Sequence, residues 1–281
     1  MNRQRTLLIA LLLAGGLCVL PGAAWAQFGR IGDIMKKTEA FKPISTEQEV
    51  AMGREVAAKM VAYFKVFENE KAAAYVRKVG QALAAQSERQ DVTCHFELLD
   101  TDTVNAFAAP GGYIFVTRGL LETIKTESEL AGVLGHEVGH VAGKHIVNQI
   151  QTGKMVQSGL KEAGSLTPGS RFLDDLAKDI LTRLIDRGLD HKDEYDADQR
   201  GINYAYAAGY RPDGLKSFLA TLQPIVAQSA ANTSWLARTH PPIPERIQRL
   251  EQTVAQKKMQ TEGRPDNFER YQVTMKAAAQ Q

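Results

Sequence analysis

Apolar side chains recur at helical spacing over most of this chain. Residues 46–66 and 70–86 carry them at intervals of three or four, which predicts two helices. Similar stripes after Pro212 and from Ile247 to Val254 predict two more. A further stripe at 172–185 fits either a helix facing the core or one lying on a membrane surface. Three aspartates within it would repel anionic lipid, which favours the core.

Alternation replaces helical spacing between residues 92 and 117. Residues 92–99 alternate as a strand does, and two short apolar runs flank Pro110-Gly111-Gly112 as in a hairpin. The capping pattern of Thr126 and Glu129 predicts a helix that continues to about Gln151. The predicted fold is therefore α+β and mostly helical, with a small antiparallel sheet.

Helix signals also bracket the stretch after the 172–185 stripe. Gly188 should end the helix that carries that stripe, because glycine is favoured just beyond a helix. Asp190 should begin a new helix that reaches about Ala208 before Gly209. These assignments place Glu194 and Asp198 on one face of a single helix.

The first 26 residues have the features of a secretory signal peptide. Arg3 and Arg5 precede an apolar run, and Ala24-Trp25-Ala26 matches a cleavage site. The run is short for a membrane anchor, so we expect removal of residues 1–26 and a periplasmic location. Lipidation at Cys18, which would give an outer-membrane lipoprotein, fits less well, because Leu17 stands where a small residue is expected.

Composition narrows the class of protein further. Of 281 residues, 44% are hydrophobic, enough for a packed core. Cleavage after Ala26 would leave 32 basic against 32 acidic side chains, a balance that argues against a nucleic-acid partner. No later segment is apolar for 18 residues, so no transmembrane segment is expected in the mature chain. A domain over 27–256 should be followed by a polar, loosely attached tail at 257–281.

His136-Glu137-Val138-Gly139-His140 carries the candidate chemistry. Histidines four apart on a helix share a face, so both can bind one ion, and Glu137 beside them can take a proton from water. Imidazole and carboxylate ligands suit zinc, one ion per chain. The flanking residues are apolar, which places these polar groups in a core where incidental histidines are costly.

The third ligand must come from elsewhere in the chain. A metzincin-type third histidine is not available, because His145 comes one residue too early and is rotated away on a continuing helix; it is interpreted as a supporting or surface residue. A later helix offers Glu194, with Asp198 on the same face. His191, three residues before Glu194, remains a competing candidate.

Four motifs in order resemble the CAAX prenyl endopeptidase family of zinc metallopeptidases, which has HtpX-like and BepA-like bacterial members. They are the motif His136 to His140, Glu194 with Ala197, Asp198 and Gly201, Thr239-His240-Pro241-Pro242 with Arg246, and the segment Asn105 to Gly112. The resemblance runs from about Ser45 to Leu250. It implies a zincin-type domain with the sheet beside the active-site helix.

The resemblance also implies a role for each site residue. Glu194 would be the third zinc ligand, and Asp198 would accept the free N–H of a ligand histidine. His240 would lie at the metal as a displaceable ligand or a donor, and Arg246 would stabilise the oxyanion. Asn105, Ala106, Phe107 and Ala108 would bind an extended substrate along an edge strand.

These expectations describe an envelope zinc endopeptidase that acts on misfolded or stalled proteins. Its partners would be unfolded or extended substrates and, through the resemblance, envelope assembly machinery. Three alternatives stay open. The first is a chaperone that keeps a zinc site for structure, and the second is a latent protease whose site His240 blocks. A lipid-binding module built on residues 172–185 is a third.

Overall fold

The structure is a computed structural model that describes residues 43–152, 166, 169–228 and 239–279, with side chains up to Met275. The predicted signal peptide at 1–26 and Cys18 lie outside the described residues, as does most of the predicted loop at 152–170. The described chain forms one compact unit from Pro43 onward.

Helices make up most of the described chain, and a small sheet lies between the second and third of them. The helices are α1 (Thr46–Phe64), α2 (Glu70–Ala84), α3 (Arg118–Thr123), α4 (Glu127–Ala142), α5 (His145–Gln151), α6 (Arg171–Thr182), α7 (His191–Ala207), α8 (Gly214–Gln228), α9 (Ile243–Gln256) and α10 (Phe268–Ala279). The strands are β1 (His95–Leu99), β2 (Ala106–Ala109) and β3 (Tyr113–Thr117). The mostly helical α+β fold is confirmed.

The sheet has the strand order β1-β3-β2. The hairpin is antiparallel as predicted, with Ala109 opposite Tyr113. The expectation of a wholly antiparallel sheet was wrong, because β1 pairs with β3 in parallel and His95 also lies opposite Tyr113. The chain reverses twice between β1 and β3, so skipping β2 gives two strands with the same direction. The sheet is mixed, and β2 is one of its edges.

Helix α4 runs through the centre of the domain and is buried along its whole length. It packs against α7 at very short range. A Cβ added to Gly139 would lie 2.8 Å from the carbonyl oxygen of Ala197, and one added to Gly201 would lie 2.6 Å from the backbone nitrogen of His136. Glycine at these two positions lets the helix backbones touch. This contact brings α7 within reach of the two histidines of α4.

The apolar stripe of α6 faces the core, as predicted. Leu173, Leu176 and Ile180 are at most 1% exposed. They belong to a core cluster that also contains Met52 of α1 and Phe107 of β2. The alternative of a membrane-surface face is therefore wrong for this stripe. Among the described residues, no helix combines the length and apolar character needed to cross a bilayer.

Helix α4 begins as predicted but ends early. Thr126 caps it by accepting a hydrogen bond from the backbone of Glu129, at 3.1 Å. The helix stops at Ala142 instead of continuing to about Gln151. Lys144 adopts the left-handed conformation with φ 52°, and α5 starts at the next residue. The break changes the direction in which His145 points.

Gly188 and Asp190 separate the two helices as predicted. A π-helical turn at Arg183–Arg187 extends α6, and Gly188 follows it with φ 71°. Asp190 holds the N-cap position of α7, although its side chain makes no capping hydrogen bond. Its carboxylate lies 3.7 Å from Nη2 of Arg183 instead.

The expectation of a loosely attached tail after residue 256 was wrong. Tyr271 of α10 is 1% exposed, and its hydroxyl donates a hydrogen bond of 2.7 Å to the carbonyl oxygen of Leu121. Arg270 forms an ion pair with the buried carboxylate of Glu127, the first residue of α4. A buried aromatic side chain, an ion pair and further hydrogen bonds, such as that of Gln272 to the carbonyl oxygen of Lys125, attach a segment whose composition is mainly polar.

Candidate metal centre

Two imidazoles from α4 face the same point inside the domain. His136 and His140 lie one turn apart, and their Nε2 atoms are 3.0 Å apart. Both side chains are buried. Two ring nitrogens without protons repel each other at that distance, whereas a cation between them would bind both lone pairs. The pair is arranged as two ligands of one ion.

Glu194 supplies the third group from α7. Its Oε1 lies 3.4 Å from Nε2 of His140, and its Oε2 lies 3.6 Å from Nε2 of His136. The carboxylate is 1% exposed. The three side chains offer ligand atoms that all lie within 4.8 Å of one another. The structure therefore brings together the three residues that the sequence analysis named as ligands.

This donor set fits a divalent transition-metal ion. Ligand atoms bound to zinc at about 2.0–2.2 Å in tetrahedral geometry lie roughly 3.3–3.6 Å from each other, close to the distances observed here. Burial and the neighbouring charge of His140 lower the pKa of His136 to about 4, so its ring is neutral, as a ligand must be. Two imidazoles and one carboxylate leave a coordination position for a reacting molecule.

The ring of His136 is held from behind by Asp198. Its Nδ1 lies 2.8 Å from Oδ1 of Asp198, the contact that the resemblance implied. Arg246 donates to both oxygens of the same carboxylate, at 2.6 and 2.9 Å. Burial opposes ionisation, but the charge and hydrogen bonds of Arg246 hold the pKa of Asp198 at about 2. Asp198 is therefore a carboxylate that fixes the ring of His136.

The position of Arg246 does not support the oxyanion role predicted for it. Its Nη2 lies 3.4 Å from Nδ1 of His136. That nitrogen is on the side of the ring opposite the metal-facing Nε2. The sequence motif placed Arg246 at the site, but its guanidinium is engaged with Asp198. It contributes to the support of a ligand.

The ring of His140 is supported by a different group. Its Nδ1 lies 2.8 Å from Nδ1 of His145, whose Nε2 lies 3.1 Å from Oδ2 of Asp196. His145 is buried, so of its two predicted roles the structure selects support. Asp196 was missed by the sequence analysis. It is two residues from Glu194, about 200° around an ideal helix, so spacing gave no signal for it.

Glu137 lies beside the ligand pair and lines the cleft in front of it. Its side chain is 5% exposed. Burial raises the pKa of Glu137 to about 7. A carboxylate with that pKa can both take up and release a proton near neutral pH.

His240 approaches the site from the loop before α9. Its Nδ1 lies 2.5 Å from Oε2 of Glu194, and its ring centre is 6.1 Å from that of His136. The side chain is 17% exposed, more than any of the three ligands. His240 is thus in contact with a ligand and at the mouth of the site. By contrast, His191 is exposed and is not part of the ligand group.

A narrow cleft connects β2 with the metal centre. One wall consists of the four residues predicted to bind substrate, namely Asn105, Ala106, Phe107 and Ala108. Leu184, Gly188 and Leu189 line it as well, together with Thr239 and His240. Asn105 is 2% exposed, and its Nδ2 has no hydrogen-bond partner in the described part of the chain. The edge of β2 and one unpaired donor therefore border the site.

The part of the chain that carries the site is similar to known proteins. A family model described as Peptidase family M48 matches residues 70–254, about two thirds of the chain, and the match contains every ligand and support described above. The beta-barrel assembly-enhancing protease of Yersinia pestis is 28% identical over 228 residues, which are 77% of this chain and 46% of that protein.

Two further relatives come from different settings. Metalloprotease YcaL of Escherichia coli is 27% identical over 209 residues, covering 74% of this chain and 76% of the relative. The mitochondrial metalloendopeptidase OMA1 of Schizosaccharomyces pombe is 27% identical over 192 residues, covering 67% of this chain and 55% of the relative. The chain spans about half the length of the Yersinia and Schizosaccharomyces relatives.

Proposed function

The chain belongs to peptidase family M48, a family of metalloproteases, and from this premise we propose that it is a zinc-dependent endopeptidase of the bacterial cell envelope. The observation that carries the proposal is the convergence of His136, His140 and Glu194 in front of Glu137. The proposed substrates are misfolded or stalled envelope proteins in extended form.

His136, His140 and Glu194 would hold the zinc ion. When bound, zinc supplies Lewis acidity, which polarises a carbonyl and makes water a nucleophile near neutral pH. Asp198 keeps the ring of His136 oriented through Nδ1, and Arg246 keeps Asp198 ionised. The apolar surroundings strengthen each of these electrostatic contacts, because water does not screen them.

Glu137 would move the proton. Its carboxylate takes a proton from the attacking water as the bond to the scissile carbonyl carbon forms. The same oxygen then delivers the proton to the amide nitrogen that leaves. A pKa near 7 suits both steps, since the group must be a base first and an acid afterwards.

The substrate would lie as an added strand along β2, which is an edge strand of the sheet in the described part of the chain. Such an arrangement recognises backbone more than sequence. Nδ2 of Asn105, which has no hydrogen-bond partner among the described residues, would donate to a substrate carbonyl. His240 supplies a second polar group at the mouth of the cleft. This proposal is supported by the free-energy cost of burying a hydrogen-bond donor without a partner, because a bound peptide would supply an acceptor.

The envelope location rests on the sequence and on the names of relatives. The signal-peptide pattern at residues 1–26 predicts export, and one relative is named for β-barrel assembly. Mass spectrometry of the protein isolated from a bacterial envelope should give Gln27 as the first residue. A diacylglycerol on Cys18 would instead support the lipoprotein alternative.

Cleavage of an unfolded protein such as casein tests the proposed activity. Wild type should produce fragments when loaded with zinc, whereas Glu137→Gln should lose at least about a thousandfold in rate while still binding zinc. Glu122→Gln, an exposed carboxylate on α3, is the control and should cleave as wild type does. Equal cleavage by wild type and Glu137→Gln would contradict the proposal. Absence of cleavage by both, with suppression of client aggregation, would favour the zinc-bearing chaperone.

A latent protease is the second candidate, and one contact favours it. His240 touches the ligand Glu194 and lies at the mouth of a cleft that Leu184 and Leu189 also narrow. If His240 blocks the site, His240→Ala should cleave casein faster than wild type. If His240 instead donates to the reacting carbonyl, the same variant should be slower.

A further inference from the structure

We propose that His145 is a positioning residue for the ligand His140, and that His145 and Asp196 together form a relayed carboxylate support for the metal centre. The inference rests on the metal site of the proposed function. It assigns a purpose to a buried histidine that is neither a ligand nor part of the substrate cleft. It also assigns one to Asp196, a carboxylate that no sequence motif singled out.

The chain makes a costly turn to place His145. On a continuous helix, a residue five positions after His140 points about 140° away from it. Instead α4 ends at Ala142, and Lys144 takes a left-handed conformation that is uncommon for residues other than glycine. The new helix then begins at His145 and carries its ring back to His140. A strained residue next to a site is a reason to look for a functional constraint.

The contacts of His140 and His145 fit the tautomer of His140 that a bound metal would require. A metal ion held by His140 would take the lone pair of Nε2, which would leave the ring proton on Nδ1. That N–H would donate to Nδ1 of His145, 2.8 Å away. A neutral imidazole that accepts at Nδ1 carries its own proton on Nε2, which faces Oδ2 of Asp196 at 3.1 Å. The row of donors and acceptors is therefore consistent from the ligand to the carboxylate.

Asp196 is itself fixed at the surface. Arg200, one turn later on α7, donates from Nε to the same Oδ2 at 2.5 Å. Arg200 also forms an ion pair with Glu88, which accepts a hydrogen bond of 2.6 Å from the hydroxyl of Tyr204. These contacts hold the far end of the relay without burying it, since the side chains of Asp196 and Glu88 are 40% and 54% exposed. The relay thus connects a metal ligand to the protein surface.

Zinc affinity provides a readout that packing alone would not change. Titration of the purified chain against a chromophoric zinc chelator should give a dissociation constant about 10–100 times larger for His145→Phe than for wild type, because loss of a ligand's support weakens metal binding by that range. Phenylalanine keeps the ring volume but offers no acceptor. His145→Asn should recover part of the affinity, since its side-chain oxygen can occupy the place of Nδ1.

Asp196→Asn tests the relay without a change in the core. It should weaken zinc binding by up to about tenfold. Asp175→Asn is the matched control, because Asp175 is 43% exposed and also has an ion pair on its own helix, with Lys178. This control should bind zinc as wild type does. Cobalt(II) in place of zinc should show altered visible absorption in His145→Phe, which reports the changed geometry of the ligands.

The outcomes separate this proposal from the proposed function. If folded His145→Phe and Asp196→Asn bind zinc within twofold of wild type, the positioning role is overturned and the peptidase is unaffected. If wild type binds zinc more tightly than the variants but cleaves no unfolded protein, the positioning role stands and the peptidase is overturned. If wild type takes up no zinc, both fail.

Discussion

The two histidines of the candidate metal centre lie on one helix, one turn apart, yet they are held by different kinds of contact. His136 rests on Asp198 and Arg246, which are 3% and 5% exposed and form a closed pair inside the core. His140 rests on His145, beyond which Asp196 and Arg200 lead out to solvent. The first support places unscreened charges in a medium of low polarity. The second places its charges where water screens them.

The exposure of each support should decide how well it tolerates substitution of its side chains. Removing one member of a buried ion pair leaves the other charge without a partner, a state that costs far more than the pair contributes. Removing an exposed charge allows water to replace it, and exposed ion pairs contribute little. Substitutions in the support of His136 should therefore have large effects. In the support of His140, the effect of a substitution should become smaller from the buried His145 outward to the exposed side chains.

The largest expected effect comes from breaking the buried pair. Arg246→Met should lower the free energy of unfolding by about 3–5 kcal/mol, because Asp198 is left buried and unpaired. Urea denaturation in the presence of a chelator measures this without a contribution from metal. Arg249→Met, on the same helix but 52% exposed, should change the free energy by less than about 1 kcal/mol. Similar losses in both variants would remove the contrast between the two supports.

Binding of the metal should stabilise the folded protein, because the ion would bind both histidines. Free zinc at about 100 times its dissociation constant should stabilise wild type by roughly 2.7 kcal/mol, and a chelator should remove that gain. Glu194→Ala lacks the third ligand and should show little response to zinc. Glu251→Ala, an exposed carboxylate on α9, should respond as wild type does. Differential scanning calorimetry with and without zinc makes the comparison, and an equal response of all three proteins would show that Glu194 is not a ligand.

Zinc affinity compares the two carboxylates directly. Asp198→Asn should weaken zinc binding by about 10–100-fold, because His136 loses a charged acceptor and Arg246 is left with an unpaired charge. Asp196→Asn should have the smaller effect, since His145 stays in contact with His140. Competition with a chelator, measured on both variants, gives the ratio of their zinc dissociation constants. A larger loss for Asp196→Asn than for Asp198→Asn would reverse the order that burial predicts.

The smallest effect is expected at the exposed end of the relay. Partial burial of Glu88 raises its pKa, but hydrogen bonding to Tyr204 and the charge of Arg200 outweigh this and lower the pKa from its ordinary value of 4.5. A carboxyl with a lowered pKa stabilises the fold above that ordinary value, and the contribution is lost as the pH falls below it. The difference in unfolding free energy between wild type and Glu88→Gln should therefore be below about 1 kcal/mol at neutral pH and vanish in acid. A difference that grows in acid would contradict this assignment.

Helical periodicity in the sequence predicted only part of the candidate site. The spacing of His136 and His140 predicted that both imidazoles lie on one face of a helix. The helix predicted after Asp190 likewise has Glu194 and Asp198 on one face. Both are local consequences of helical periodicity. The partner of Arg246 and the turn at Lys144 are not local. Neither a motif nor a spacing indicated that Arg246 would bind Asp198, or that a helix break would return His145 to His140.

The type of chemistry could be predicted from the sequence, because the histidines and carboxylates of the site lie within recognisable helix signals along the chain. The sequence also determined the helical class, because apolar periodicity is a property of the chain. Three features could be seen only in the folded molecule: how each histidine of the site is held, the parallel pairing of β1, and the attachment of the C-terminal segment by Tyr271. These features depend on contacts between residues far apart in sequence, which form only where the packing of α4 against its neighbours brings them together.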